Sequence, residues 1–186
     1  MAATRVSGCA MVSAMQAVDE DGVIDATWAA LAAIPDPEIP VISIVELGIV
    51  RDVAFEDGEL VVTMTPTYSG CPATEVIAAD IDRALIASGV SAFRVQTRLS
   101  PPWTTDWIAP AARERLRAFG IAPPGERAEP RTIDISALRR SAAVTVCCPR
   151  CGSSRTRELS RFGSTPCKAQ YRCEDCLEPF DYFKAH

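Results

Sequence analysis

Four of the chain's eight cysteines fall in two Cys-x-x-Cys pairs, Cys148-Pro149-Arg150-Cys151 and Cys173-Glu174-Asp175-Cys176, with twenty-one residues between them. That spacing suits a four-cysteine zinc site. Two intervening residues let both sulfurs of one turn face a single ion, and Gly152 relieves crowding where backbone amides point at the thiolates. Cys148, Cys151, Cys173 and Cys176 are therefore the expected ligands of a structural zinc. A ribbon of about forty residues buries too little apolar surface to fold alone, and a metal worth on the order of 10 kcal/mol supplies the difference. Tetrahedral sulfur also suits iron in a rubredoxin-like site. A thiol–disulfide couple of Cys148 and Cys151, and plain reduced core cysteines, stay open beside it. Cys147 could exchange with Cys148, but the i, i+3 spacing and Pro149 favour Cys148. Cys167 lies in the loop Phe162-Gly163-Ser164-Thr165-Pro166-Cys167-Lys168, where a neighbouring lysine can lower a thiol's pKa. Inward packing is its plainer reading.

A separate cysteine, Cys71, sits between Gly70 and Pro72 at the head of an expected helix. Proline suits the first helical position, which puts the Cys71 sulfur near the positive end of that helix. There it can hold a soft metal, accept a cluster fragment or act as a nucleophile; burial is the competing reading. Asp36 and Glu38, in the doubly proline-stiffened loop Asp36-Pro37-Glu38-Ile39-Pro40, can reach it if the first helix packs against the following hairpin. Capping and solvation are their alternative uses.

The elements that must position these groups follow from periodicity and punctuation. Residues 1–22 read as a flexible lead-in, broken at Asp19-Glu20-Asp21-Gly22. A short helix capped by Asp25 or Thr27 runs to about Ile34, with Trp28 and Leu31 on one face and Pro35 as its stop. Alternation predicts a strand with Ile49, Arg51, Val53 and Phe55 on one side, an Asp57-Gly58 turn, and a return strand from Leu60 to Thr65. Val76, Ile77, Ile81, Ala84 and Leu85 mark a helix ending at Gly89, then a third strand spans Ala92 to Leu99. A basic helix from about Ala111 to Phe119 closes at Gly120. The expected organisation is thus α/β, a small two-layer α+β domain over 23–120 with three or more strands, then a linker over 121–141 and a β zinc ribbon over 142–186. Tyr171, Phe180, Tyr182 and Phe183 are the expected ribbon core.

Composition narrows the function. With 19 basic and 24 acidic side chains the net charge is −5, which offers phosphate backbones no attracting field, so no nucleic-acid partner is expected. No apolar run suits a membrane span or a secretory leader, which predicts a cytoplasmic protein whose thiols are reduced. The lone histidine, His186, excludes bundle-type di-iron sites, the iron facial triad and histidine-based triads within this chain. No nucleotide-binding glycine motif or ferredoxin spacing is present. No catalytic residue is expected; the chain reads as non-catalytic on its own.

Asp36 to Pro40, continuing through Val41-Ile42-Ser43-Ile44-Val45-Glu46-Leu47-Gly48-Ile49-Val50, and then Thr63 to Pro72, resemble the metal-sulfur cluster assembly family over about residues 25–105. Together with the ribbon's Phe162-Gly163-Ser164-Thr165 and the ending Pro179-Phe180-Asp181-Tyr182-Phe183, the chain resembles the D-type subunits of phenylacetyl-CoA epoxidase systems. The resemblance implies a helper role in aerobic phenylacetate breakdown, installing or maintaining iron or iron-sulfur centres, with Cys71, Asp36 and Glu38 as the site for iron or a transient cluster. It implies as partners the di-iron oxygenase subunit, the iron-sulfur flavin reductase, or both, within a monooxygenase system. Permanent membership of the oxygenase is the alternative, and self-association into a homodimer stays open. Pro166 before Cys167 departs from the small residue expected there.

Overall fold

The computed structural model describes residues 19–125 and 145–185. The expected lead-in through residue 18, the connector from residue 126 onward and His186 lie outside the described residues. Helix α1 spans Glu20–Ala32 and starts earlier than expected, because Asp19 is its N-cap and accepts from the Gly22 amide at 3.2 Å. Glu20 and Asp21 complement the positive end of the helix in its first turn. The Asp-Glu-Asp-Gly run is therefore a helix start and not a break.

Strands β1 (Val50–Glu56) and β2 (Glu59–Met64) form an antiparallel hairpin across Asp57 and Gly58, both at positive φ. The expected alternation in β1 is interrupted: the register shifts between Val50 and Asp52, leaving Val50 and Val53 buried and Arg51 exposed. Such a bulge puts an extra residue on one strand and resets which face each side chain takes. Helix α2 (Ala73–Ala87) then returns the chain to β3 (Phe93–Thr97), which pairs parallel with β2. The sheet order is β1-β2-β3, with β2 central and almost wholly buried. Ile77, Ile81 and Leu85 of α2 and Leu31 of α1 close its core.

The segment between α1 and β1 has no regular structure, yet Ile39, Ile42, Ile44 and Leu47 are each at most 2% exposed. It is tied by Asp36 N to Ile42 O (2.9 Å), Ile44 N to Ile34 O (3.0 Å) and reciprocal bonds between Ser43 and Glu46. It ends at Gly48, whose φ is +74° and whose missing Cβ would stand 2.7 Å from both Cβ and the carbonyl oxygen of Trp107. A side chain there meets left-handed strain of roughly 1–2 kcal/mol plus a backbone clash. Gly48→Ala is accordingly expected to lower unfolding free energy by at least about 2 kcal/mol, read from denaturant midpoints at unchanged slope.

After a short turn at Thr105–Trp107, helix α3 spans Pro110–Phe119 and ends at Gly120 in the left-handed conformation. Ile121 and Ala122, at the start of the expected connector, instead form β4, paired parallel to β7. With β5 (Thr156–Ser160), β6 (Lys168–Cys173) and β7 (Pro179–Phe183) this makes a second sheet in the order β4-β7-β6-β5. The fold is α+β followed by a β ribbon. Tyr171 packs on Phe180 and Tyr182 at centroid distances of 5.9 and 5.5 Å. Phe183 does not join them. It is 0% exposed in the core of the first domain, 5.9 Å from the ring of Trp103. The pleat explains the correction, since Phe180 and Tyr182 share one face of β7 and Phe183 takes the other.

Candidate functional site

The two Cys-x-x-Cys turns converge. Sγ of Cys148 lies 3.7 Å from Sγ of Cys176, Sγ of Cys151 lies 3.5 Å from Sγ of Cys173, and all four sulfurs lie within 4.8 Å of one another. Sulfurs around a tetrahedral ion at ~2.3 Å stand roughly 3.8 Å apart, so the arrangement fits a four-sulfur metal site. Each turn is wound by the same device. Gly152 takes φ +76° while Cys148 N donates to Ser153 O at 2.9 Å, and in the second turn Leu177 takes φ +66° while Cys173 N donates to Glu178 O at 3.0 Å. Backbone amides of Cys176 and Asp175 hold the Cys173 thiol down at about 7, whereas burial and the neighbouring sulfurs push Cys151 and Cys176 up. Asp175 links the turns by accepting from the Ser153 hydroxyl and pairing with Arg155 at 2.8 Å. Cys147 is exposed and stands outside the group.

A second cluster forms where the ribbon meets the first domain. Cys71 precedes the Pro72 N-cap of α2, in a turn closed by its own amide to Tyr68 O at 3.2 Å. Asp36 is 5% exposed; its Oδ1 accepts from the amides of Glu38 (2.9 Å) and Ile39 (2.8 Å), winding the proline loop. Burial pushes its carboxyl up against those two amides; Glu38 adds to the rise and Lys168 opposes it. One oxygen of Asp36 thus does the capping that was its alternative reading. Glu38 is half-buried and turns Oε2 toward Sγ of Cys167, 3.7 Å away. Cys71, Asp36, Glu38 and Cys167 line one cavity with Met64, Ile77 and Phe183, and its free volume is ≈ 10 Å³. That is about the room for one water or one ion. A carbon-based substrate does not fit.

Cys167 packs inward, the plainer of its two expected readings, and joins the first domain's buried cluster. It is 4% exposed, held by Lys184 N donating to its carbonyl at 3.0 Å, with the Thr165 hydroxyl 3.0 Å from its sulfur. Burial pushes its thiol up to about 11; Glu38 raises it further, while the Thr165 hydroxyl and Lys168 act the other way. The lowering expected from Lys168 is outweighed, and the Lys168 ammonium, also buried, reaches Asp181 at 3.8 Å. Tyr68 completes the cluster. Burial pushes its hydroxyl up to about 12, with Cys71, Glu38 and Cys167 adding to the rise.

One consequence is pH-dependent protection of Cys167. Its unfolded thiol ionises near 9.0 and its folded thiol near 11, so the folded state keeps the proton longer. The stability this contributes is complete below pH 9 and is lost as pH rises from about 9 to 11. At pH 7 the metal-loaded protein is expected to alkylate at Cys147 and spare Cys167, with Cys167 labelling appearing as pH approaches 11. Peptide mapping by mass spectrometry checks both sites.

Two family models match the chain, a PaaD zinc beta ribbon domain over residues 134–184 and an iron-sulfur cluster assembly protein over residues 24–92. The chain is 36% identical over 99 residues to the Fe-S protein maturation auxiliary factor YitW of Bacillus subtilis (strain 168), covering 52% of this chain and 96% of that one. A crystal structure of a domain of unknown function from Bacillus anthracis is 31% identical, with a TM-score of 0.49, covering 52% of this chain and 93% of that chain. A protein of Escherichia coli (strain K12), assigned as the D-type component of 1,2-phenylacetyl-CoA epoxidase, is 49% identical over 157 residues, 84% of this chain and 90% of that protein. With that identity spanning both halves, the chain belongs to the family of D-type phenylacetyl-CoA epoxidase components, an iron-sulfur assembly domain joined to a zinc ribbon.

Proposed function

We propose that this chain is a maturation factor of a phenylacetyl-CoA epoxidase system, helping to place iron or an iron-sulfur fragment in the oxygenase or its reductase. The observation that carries the reading is the ion-sized cavity lined by Cys71, Asp36 and Glu38. It offers sulfur and carboxylate donors and no room for an organic substrate. Iron is cargo here. Cys71 supplies a soft donor from a partly exposed turn, Glu38 a carboxylate on the cavity wall, and Asp36 fixes the loop that carries Glu38. Met64, Ile77 and Phe183 limit water at the back of the cavity.

The ribbon's part in this reading is to hold zinc through Cys148, Cys151, Cys173 and Cys176, and through it the face that docks on the first domain. The family models and the Bacillus subtilis maturation factor support a maturation role in general; the Escherichia coli relative supports the epoxidase as client.

The test is Cys71→Ser in cells that depend on the epoxidase for growth on phenylacetate. Growth is expected to fail, and the purified oxygenase and reductase are expected to carry less iron while remaining at normal abundance. Unchanged iron content and growth would overturn the reading. Among the described residues no helix is long and apolar enough to cross a membrane.

A further inference from the structure

We infer that Cys167 is the second sulfur ligand of the cargo site, so that Cys71 and Glu38 of the first domain and Cys167 of the ribbon together hold one borderline-soft divalent cation of the iron class. The inference deepens the proposed function and rests on it. Its ground is geometric. Cys167 and Glu38 are 129 positions apart in sequence, yet Sγ and Oε2 meet at 3.7 Å on the wall of the cavity that Cys71 also lines.

A cysteine that merely fills a core sits among apolar atoms. Cys167 packs in the first domain's buried cluster but also faces a carboxylate, with the Tyr68 hydroxyl close by beside Cys71. Such a set of acceptors and weak donors beside a single ammonium is costly to bury, and a divalent ion offsets that cost. The nearest ammonium, on Lys168, is directed at Asp181. Two thiolates with a carboxylate favour iron, cobalt or zinc over magnesium or calcium.

The three donor atoms are not gathered as tightly as the four of the ribbon, which alone among the described residues all lie within 4.8 Å of one another. Closure is assigned to the Cys71 turn, whose Ser69 and Gly70 are exposed, with Cys167 held by Lys184 N donating to its carbonyl at 3.0 Å. On binding, each thiol releases its proton to solvent as its sulfur becomes a ligand; no electron is transferred. A site shared between domains lets the ribbon's docking control loading and release.

The experiment is a Co²⁺ titration of the full-length protein with its ribbon loaded with zinc, following thiolate-to-cobalt charge-transfer absorption with zinc retention measured in parallel. The expected result is uptake of one further ion per chain. Cys71→Ser, Cys167→Ser and Glu38→Gln each weaken it by roughly 10–100-fold or more, the range that loss of supporting groups alone produces. Cys147→Ser leaves it unchanged. The double variant Cys71→Ser/Cys167→Ser reports any exchange into the ribbon, which would give the same spectrum in wild type. Circular dichroism and zinc content show that Cys167→Ser is folded, with Cys167→Ala as its check. A Cys71-dependent ion that survives Cys167→Ser overturns this inference and leaves the proposed function standing. A wild type that takes up no further ion also overturns it, and growth of the Cys71→Ser strain then decides the proposed function separately.

Discussion

Removing the metal from the four-cysteine turns, by a strong chelator or by Cys148→Ser, is expected to unfold the ribbon and expose Cys167 to alkylation at pH 7. The ribbon's own core is Ala122, Val146, Cys148, Ala169, Cys173, Phe180 and Tyr182, with Tyr171 against it. Two of those seven, Cys148 and Cys173, are proposed metal ligands, and the apolar area left is too small to offset the entropy of ordering three strands and their connections. A structural four-sulfur zinc contributes about 10–16 kcal/mol, more than the whole stability of an ordinary domain. Losing it takes with it the register that sets Lys168 opposite Phe183 and the bond from Lys184 to the Cys167 carbonyl. Cys167 then leaves the cavity and its thiol returns toward its ordinary value of 9.0. Mass spectrometry should show Cys167 passing from protected to modified in step with zinc release. A Cys167 that stays protected in the zinc-free chain would show that the ribbon holds its place without metal, and the linkage of the two sites would be lost.

Local chemistry is legible where it is local. The Asp57-Gly58 turn, the helix leading from Pro72, the Gly120 stop and the Cys-x-x-Cys turns each depend on a few adjacent residues, and each is found where its residues indicate. What escapes depends on other parts of the chain. Asp19 reads as a break because its capping bond to Gly22 competes with the turn propensity of the same residues. The bulge between Val50 and Asp52 leaves no mark in the hydrophobic pattern, because a one-residue insertion shifts faces without changing composition. The meeting of Glu38 with Cys167 has no sequence signal, since nothing in either neighbourhood specifies a contact across 129 positions. Phe183 does have one. Strict period-two reading of Pro179–Phe183 sets it opposite Phe180 and Tyr182, and that alone would flag a second buried face on β7.

That second face carries the other large expected effect. Phe183→Ala should cost about 3–5 kcal/mol, the range for emptying a fully buried aromatic site. The loss should fall on both halves at once, since Phe183 belongs to the ribbon by chain and to the first domain by packing. Its ring touches Trp103, whose Nε1 donates to Leu47 O at 3.1 Å beneath the segment that ends at Gly48. Its side chain also forms part of the wall between Met64, Ile77 and Cys167. Truncation therefore opens a void beside the thiols, loosens the seam and lets water reach Cys167. Phe180→Ala removes a similar ring from the ribbon's own cluster and is expected to leave the first domain's unfolding unchanged. The contrast is read by denaturant unfolding followed by tryptophan fluorescence, to which Trp103 in the first domain contributes, together with Cys167 labelling. Equal effects of the two substitutions on both signals would mean that the halves unfold as one block. An effect of Phe183→Ala on labelling without a shift in the fluorescence midpoint would mean that the ring seals the cavity and contributes little to the first domain's core. The expected pattern, a shift in both for Phe183→Ala and in neither for Phe180→Ala, makes the aromatic seam the element that keeps Cys167 on the wall of the cavity that Cys71 also lines.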